Sequence, residues 1–232
     1  MTIAKKAGDG HVLVINPNSS VVVTDAMDAA LSPLRLNGGP EIKCVTMHEG
    51  PPGIETQAHI DNAVAPICQR VVHETPNTDA FVIACFSDPG LALARQAVAK
   101  PVFGIAESAF AMALNYGQRF GVIAILPASV TRQQAYVRKL GLLERYAASV
   151  SVGLGVTELE SESTLSSLEA VGRELIDTHG ADVLILGCSG MAAYRQKLEQ
   201  SLDIPVIDPT QAAVVQAIAT IRLNRQPISE AA

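Results

Sequence analysis

Residues 82–90 read VIACFSDPG, and residues 183–191 read VLILGCSGM. In each, a short apolar run stops at a cysteine, and a turn built from small and turn-forming residues follows at once. Such a run, bounded by turn residues, reads as a strand buried on both faces, the strand type of a parallel sheet covered by helices. The cysteine then stands at the strand's carboxyl end. In open parallel sheets that is the end beyond which ligands bind.

The same unit repeats outward from these two stretches. HVLVIN (11–16), EIKCVTM (41–47), AFVIAC (80–85) and PVFGIA (101–106) read as strands of a first half. RFGVIAIL (119–126), an edge strand SVSVGLGV (149–156), ADVLILGC (181–188) and IPVIDP (204–209) read as strands of a second. Helical stretches alternate with them at 23–31, 56–74, 90–99, 107–117, 131–143, 163–180 and 210–223. Pro66 marks a late start or a kink in the second of these, and Gly180 is placed to cap the sixth. Alternating strands and helices give the α/β class. Three landmarks recur in the same order: Pro17/Ser19 at Pro127/Ser129 (110 residues on), Cys85 at Cys188 (103 on) and Pro101 at Pro205 (104 on). One order at nearly one offset points to internal duplication. The expected fold is two similar parallel-sheet α/β lobes related by pseudo-two-fold symmetry, with the active site in the cleft between them. Residues 1–113 and 210–232 would form the first lobe, with the last helix crossing back onto it, and residues 114–209 the second.

The chain has 232 residues, 48% of them hydrophobic, enough to bury a sizeable core. Its net charge is −6 with no Lys/Arg cluster, which argues against nucleic acid and acidic membrane surfaces as partners. No apolar run approaches the ~18 residues of a membrane span. The opening MTIAKKAGDG has no apolar core behind its lysines, so a cytoplasmic chain with reduced thiols is expected. Cys44, Cys68, Cys85 and Cys188 form no C-x-x-C pair and no zinc-type spacing, and no nucleotide-binding glycine pattern occurs. The expected partners are a small-molecule substrate and, in a homo-oligomer, other copies of the chain, with no metal.

Two thiols at matched strand ends would view one cleft from opposite sides. One thiolate could take a proton from carbon while the other thiol returns one to the opposite face, which inverts a stereocentre. A free thiol has a pKa near ~8.5, and a helix N-terminus lowers it. Each cysteine precedes a turn that opens a helix, so lowered thiol pKa values are expected, and the free N–H groups there suit the oxygen of a developing enolate. Small cysteines also occur in buried strands as packing alone. Cys44 and Cys68, which lack the matched context, read that way.

The stretches VINPNSS, GPPGIET, VIACFSDPGL, PVFGIAESA, LGCSGM and IPVIDP, spread over residues 12–209, resemble the Asp/Glu racemase superfamily and, within it, the hydantoin and allantoin racemase branch. The resemblance implies a cofactor-free, two-base racemase acting on a 5-substituted hydantoin or a related ureide such as allantoin. It implies Cys85 and Cys188 as the acid/base pair. Asn16, Ser19 and Ser20 of the NPNSS loop, and the turns after the cysteines (Phe86, Ser87, Ser189, Gly190), would hold the substrate's carbonyl and N–H edges. The chain departs from the branch at three points. Ser87 stands where relatives have glycine, AILPAS (124–129) replaces a Thr-Thr pair whose hydroxyl contact passes to Ser129 or Thr131, and PPGIE (51–55) replaces a PAYIE-like stretch. Amino-acid racemases, maleate cis-trans isomerases and arylmalonate-type decarboxylases share the fold. A decarboxylase needs only one proton donor, and a non-enzymatic ureide-binding protein needs neither thiol.

Three carboxylates stand near these motifs. Asp88 reads either as a tuner of Cys85 or as a turn and N-cap residue. Glu107 and Asp208 read as matched residues at helix starts, with capping and catalytic roles both open. His48 and His59 read as surface histidines.

Overall fold

The computed structural model describes residues 10–159, 161 and 163–223. The MTIAKKAGDG reading, but for its last residue, and the 224–232 end assigned to the first lobe lie outside them. The first half runs β1 (His11–Asn16), α1 (Val21–Ala30), β2 (Glu41–Thr46), α2 (Gln57–Glu74), β3 (Ala80–Ile83), α3 (Leu91–Ala97), β4 (Val102–Gly104) and α4 (Ile105–Ala113). The second runs β5 (Phe120–Ala124), α5 (Pro127–Lys139), β6 (Tyr146–Ser151), α6 (Thr164–Asp177), β7 (Val183–Leu186), α7 (Arg195–Leu202), β8 (Val206–Ile207) and α8 (Pro209–Arg222).

The strands form two four-stranded sheets, ordered β2-β1-β3-β4 and β6-β5-β7-β8. Every pairing is parallel. The two orders are one topology repeated four strands later. β3, β5 and β7 are buried along their whole length, as strands covered on both faces must be. Even the bond that leads out of each cysteine strand repeats: Ala84 N–H donates to the Ile15 carbonyl at 2.8 Å, and Gly187 N–H to the Ile123 carbonyl at 2.8 Å.

The two sheets share their helices. α8, at the end of the second half, packs on β1, β3 and β4 of the first sheet. α4, at the end of the first half, lies against β4 and also against β7 and β8 of the second sheet, and α4 and α8 pack on each other. Phe110 of α4 accordingly stacks near Phe120 of β5, ring centroids 5.3 Å apart. One apolar cluster runs from Val12 and Val82 through Val214 of α8 to Ile123 and Leu184.

Several boundaries differ from the sequence expectation. α5 starts at Pro127 rather than Thr131: the proline is the first helical residue, where its missing N–H costs nothing. α2 continues through Pro66 without a break. β6 lies three residues earlier than expected. Gly180 adopts φ +68° two residues beyond Thr178, which is the C-cap of α6. The stretch after Cys188 forms a six-residue 3-10 segment, Ser189–Tyr194, before α7 begins.

Candidate active site

Cys85 lies two residues beyond β3, and Cys188 two residues beyond β7. After Cys85 a tight turn closes through Asp88 N–H to the Cys85 carbonyl at 2.9 Å. Asp88 adopts φ +44° and Gly90 φ +70°, and α3 starts at once. After Cys188 the Met191 N–H donates to the Cys188 carbonyl at 3.1 Å. A third bond ties the two strand ends together: the buried Ser189 hydroxyl donates to the Ala84 carbonyl at 3.3 Å. The thiols are close enough for a charge on Cys188 to raise the pKa of Cys85.

Burial pushes Cys85 up to about 12 and Cys188 up to about 11. The Ser87 N–H and the Arg132 guanidinium pull Cys85 down, and the Gly190 N–H pulls Cys188 down. The expected backbone effect is therefore present, but desolvation outweighs it, and the expectation of lowered thiol pKa values is corrected. Negative charge works the same way as burial: Asp88 raises Cys85, and Glu55 and Asp208 raise Cys188.

A cavity of about 750 Å³ opens beside the strand ends. Cys188, Phe86, Ser87 and Ser129 line it, together with Ile54 and Ile125. Cys85 keeps some residue surface exposed although its thiol is desolvated, and it is not part of this wall, whereas the three residues that follow it are. In the NPNSS loop the side chains of Asn16, Asn18 and Ser20 are engaged in the loop's own fold. Asn16 is fully buried, and its side-chain amide donates to Asn18, Ser20 and Thr24. Ser20 caps α1 by accepting the Val23 N–H at 3.2 Å, and the Ser19 N–H is held by the Pro51 carbonyl. These three residues, Ser189 and Gly190 do not line the cavity, and Thr131 is exposed. Of the two hydroxyls considered for the missing Thr pair, the geometry places Ser129 at the cavity and leaves Thr131 out.

The carboxylates resolve into distinct roles. Asp88 accepts from the N–H groups of Ala106 (3.0 Å) and Glu107 (2.9 Å) and from the Tyr136 hydroxyl (2.9 Å). It is the N-terminal cap of α4, supplied from a turn 18 residues upstream, because the N-cap residue proper is Gly104. A Cβ at Gly104 would overlap the Asp88 carboxyl carbon, so only glycine leaves the carboxylate room. In the second half Asp208 is itself the N-cap of α8, accepting from Gln211 N–H at 2.7 Å. At the 104-residue offset Asp208 therefore matches Gly104. The expected match with Glu107 is corrected: Glu107 pairs with Arg95 at 3.1 Å. Burial raises both Asp88 and Asp208 to about 6. His48 is exposed, and the half-buried His59 accepts the Glu55 N–H through Nδ1. Among the described residues no cluster of His, Cys, Asp and Glu could hold a metal, and no helix is long and apolar enough to cross a membrane.

Residues 12–217 match the sequence model of the Asp/Glu/hydantoin racemase family. The chain belongs to that family. It is 34% identical to the hydantoin racemase of Paenarthrobacter aurescens over 224 residues, 93% of each chain. Among solved structures it resembles allantoin racemase from Klebsiella pneumoniae (TM-score 0.88, 32% identity, 93% of this chain and 89% of that one). It also resembles allantoin racemase from Pseudomonas fluorescens (TM-score 0.85, 28% identity, 92% of each).

Sequence reasoning missed what the second lobe of this racemase contributes from α5. Arg132, Gln133 and Tyr136 all line the cavity. Ser129, Gln133 and Val137 form the buried face of α5 at i, i+4, i+8 spacing. Two polar residues on the inward stripe of a helix were the available signal. Starting the helix at Thr131 hid it, because Ser129 was then outside the periodic pattern.

Proposed function

We propose that this racemase is a cofactor-independent, two-base enzyme that inverts the carbon stereocentre of a 5-substituted hydantoin or a related ureide such as allantoin, with Cys85 and Cys188 as its acid/base pair. The carrying observation is the paired thiol site: two sheets of one topology, each ending its third strand two residues before a cysteine, with the two strand ends tied by the hydrogen bond from the Ser189 hydroxyl to the Ala84 carbonyl. The thiolate of one removes the proton on carbon, and the electron pair moves into the adjacent carbonyl as an enolate. The thiol of the other gives its proton to the opposite face as that pair returns to carbon. The enzyme is left with the thiol and thiolate exchanged, ready for the reverse reaction. Mutual repulsion favours one thiolate and one thiol over two thiolates, and the pair titrates as a unit. Burial makes the thiolate scarce, and it also makes it a strong base once formed, since water no longer stabilises its charge.

Phe86, Ser87 and Ser129 are read as cavity-side contacts for the substrate. A cytoplasmic setting that keeps the thiols reduced belongs to the same reading, since a two-base scheme needs both thiols unoxidised. Adjacent exposed Val21 and Val22 at the start of α1 fit a homo-oligomer in which they are covered. The test is to follow single enantiomers of 5-substituted hydantoins and of allantoin in heavy water by polarimetry and mass spectrometry. Loss of rotation with uptake of one deuterium at the stereocentre is expected. Rotation and isotope content that stay at the enzyme-free rate would refute the reading.

A further inference from the structure

Gln133 is 5% exposed, and its Oε1 has no hydrogen-bond partner among the described residues. Its amide nitrogen stands 2.9 Å from where a Cβ on Gly187 would be, so the side chain fills the space that this glycine leaves immediately before Cys188. Arg132, the neighbouring residue of α5, uses Nη2 to hold the Glu55 carbonyl (2.8 Å) and the Ser129 hydroxyl (3.2 Å). Its Nε is buried without a partner. Both side chains line the cavity that Cys188 lines. A buried polar atom left unpaired costs about as much as a lost hydrogen bond, and native proteins keep few of them. Here a donor and an acceptor are left buried and unpaired on two neighbouring residues that line the reaction cavity.

We propose that Arg132 and Gln133 hold one amide edge of the substrate. Nε–H of Arg132 donates to a carbonyl oxygen, and Oε1 of Gln133 accepts from the N–H beside it. This inference rests on the ureide reading above and sharpens it. A hydantoin ring or an open ureide carries neighbouring C=O and N–H groups, whereas an α-amino acid zwitterion has no such neutral edge. The same placement sets the guanidinium charge, which already favours the Cys85 thiolate, beside a carbonyl that gains charge as the proton leaves.

The experiment measures kcat/KM for one enantiomer of a 5-substituted hydantoin and for its N1-methyl and N3-methyl derivatives, in the wild type and in Gln133→Met. Methylation removes one N–H and leaves the carbonyls. The wild type is expected to discriminate against one of the two methylated rings by about 10- to 100-fold. In Gln133→Met that ratio should shrink to within about threefold, while Gln133→Glu, which keeps an acceptor oxygen, retains it. A ratio unchanged in Gln133→Met overturns the proposal, since Gln133 would then only pack. Wild type that accepts both methylated rings as readily as the parent also overturns it, without any variant, and leaves the ureide reading standing. Wild type that neither racemises nor exchanges the parent ring refutes the ureide reading and this inference together.

Discussion

Replacing Asp208 by Asn separates a helix cap from a buried charge. Asp208 is 2% exposed, one oxygen caps α8 through Gln211 N–H, and Oδ2 has no partner. Burial raises the carboxyl from 3.8 to about 6. A raised carboxyl pKa means that the folded state prefers the protonated form. The stability this group contributes is fully present below the unfolded pKa and is lost as pH rises through the folded one. Over the whole window the loss is about 3 kcal/mol, and between pH 4.5 and 7.5 about 2 kcal/mol. Asn caps a helix as well as Asp does and carries no charge. Relative to wild type, Asp208→Asn should therefore gain about 2 kcal/mol between pH 4.5 and pH 7.5. Urea unfolding of both proteins at the two pH values measures this as a difference of differences, in which every other titrating group cancels. A gain under about 0.5 kcal/mol would show that the carboxylate is solvated or paired, and the account of a carboxyl raised by burial would be wrong. The same substitution removes a negative charge that raises Cys188, so the alkaline rise in activity should move to lower pH.

Three further outcomes follow from the site. Cys85→Ser and Cys188→Ser should each lower racemisation by at least about a thousandfold, because a serine hydroxyl is too weak an acid for either half of the step; the two variants should differ in which enantiomer still exchanges its proton, and full activity in either one would end the two-base scheme. With the thiols at about 12 and 11, activity above the spontaneous rate should keep climbing with pH beyond the ~8.5 of a free thiol; a plateau reached by pH 7 in the rate profile would contradict burial as the dominant influence. Gly104→Ala should drive the Asp88 carboxylate off the N–H groups of α4 and cost about 1–3 kcal/mol in a urea titration; an unchanged midpoint would remove Asp88 as the cap.

The sheets and the matched cysteines were legible because buried parallel strands carry their signal locally, in unbroken apolar runs such as VIAC and VLIL. Elements whose character depends on partners far along the chain were not. The helix expected from Thr131 in fact starts four residues earlier at Pro127, since proline also starts helices, and the later start left Ser129 outside the stripe it shares with Gln133. Asp88 gave no sign that it caps a helix 18 residues on, because its partner Gly104 is informative only through the side chain it lacks. Asn16 looked like a ligand-facing loop residue, and a three-dimensional network around Thr24 claimed its amide instead. The thiols' acidity was misjudged because two backbone N–H groups are visible in a turn sequence, whereas the depth at which a side chain is buried is a property of the assembled protein.

The exchange of α4 and α8 between the sheets makes each half of this chain an incomplete object. A piece ending at Ala113 would keep its four strands but lack α8, which covers β1, β3 and β4, and would expose Phe110 on a helix without its second sheet. A piece starting at Phe120 would carry α8 with nothing beneath it and leave β7 and β8 without α4. Neither fragment could bury its own apolar faces, but mixed together each offers the surface the other lacks, so they should regain structure only as a non-covalent pair. A half-length ancestor would have met the same requirement by trading its last helix with a twin. The fused gene would then have inherited its obligate partnership, and with it a cleft that faces two copies of one strand end.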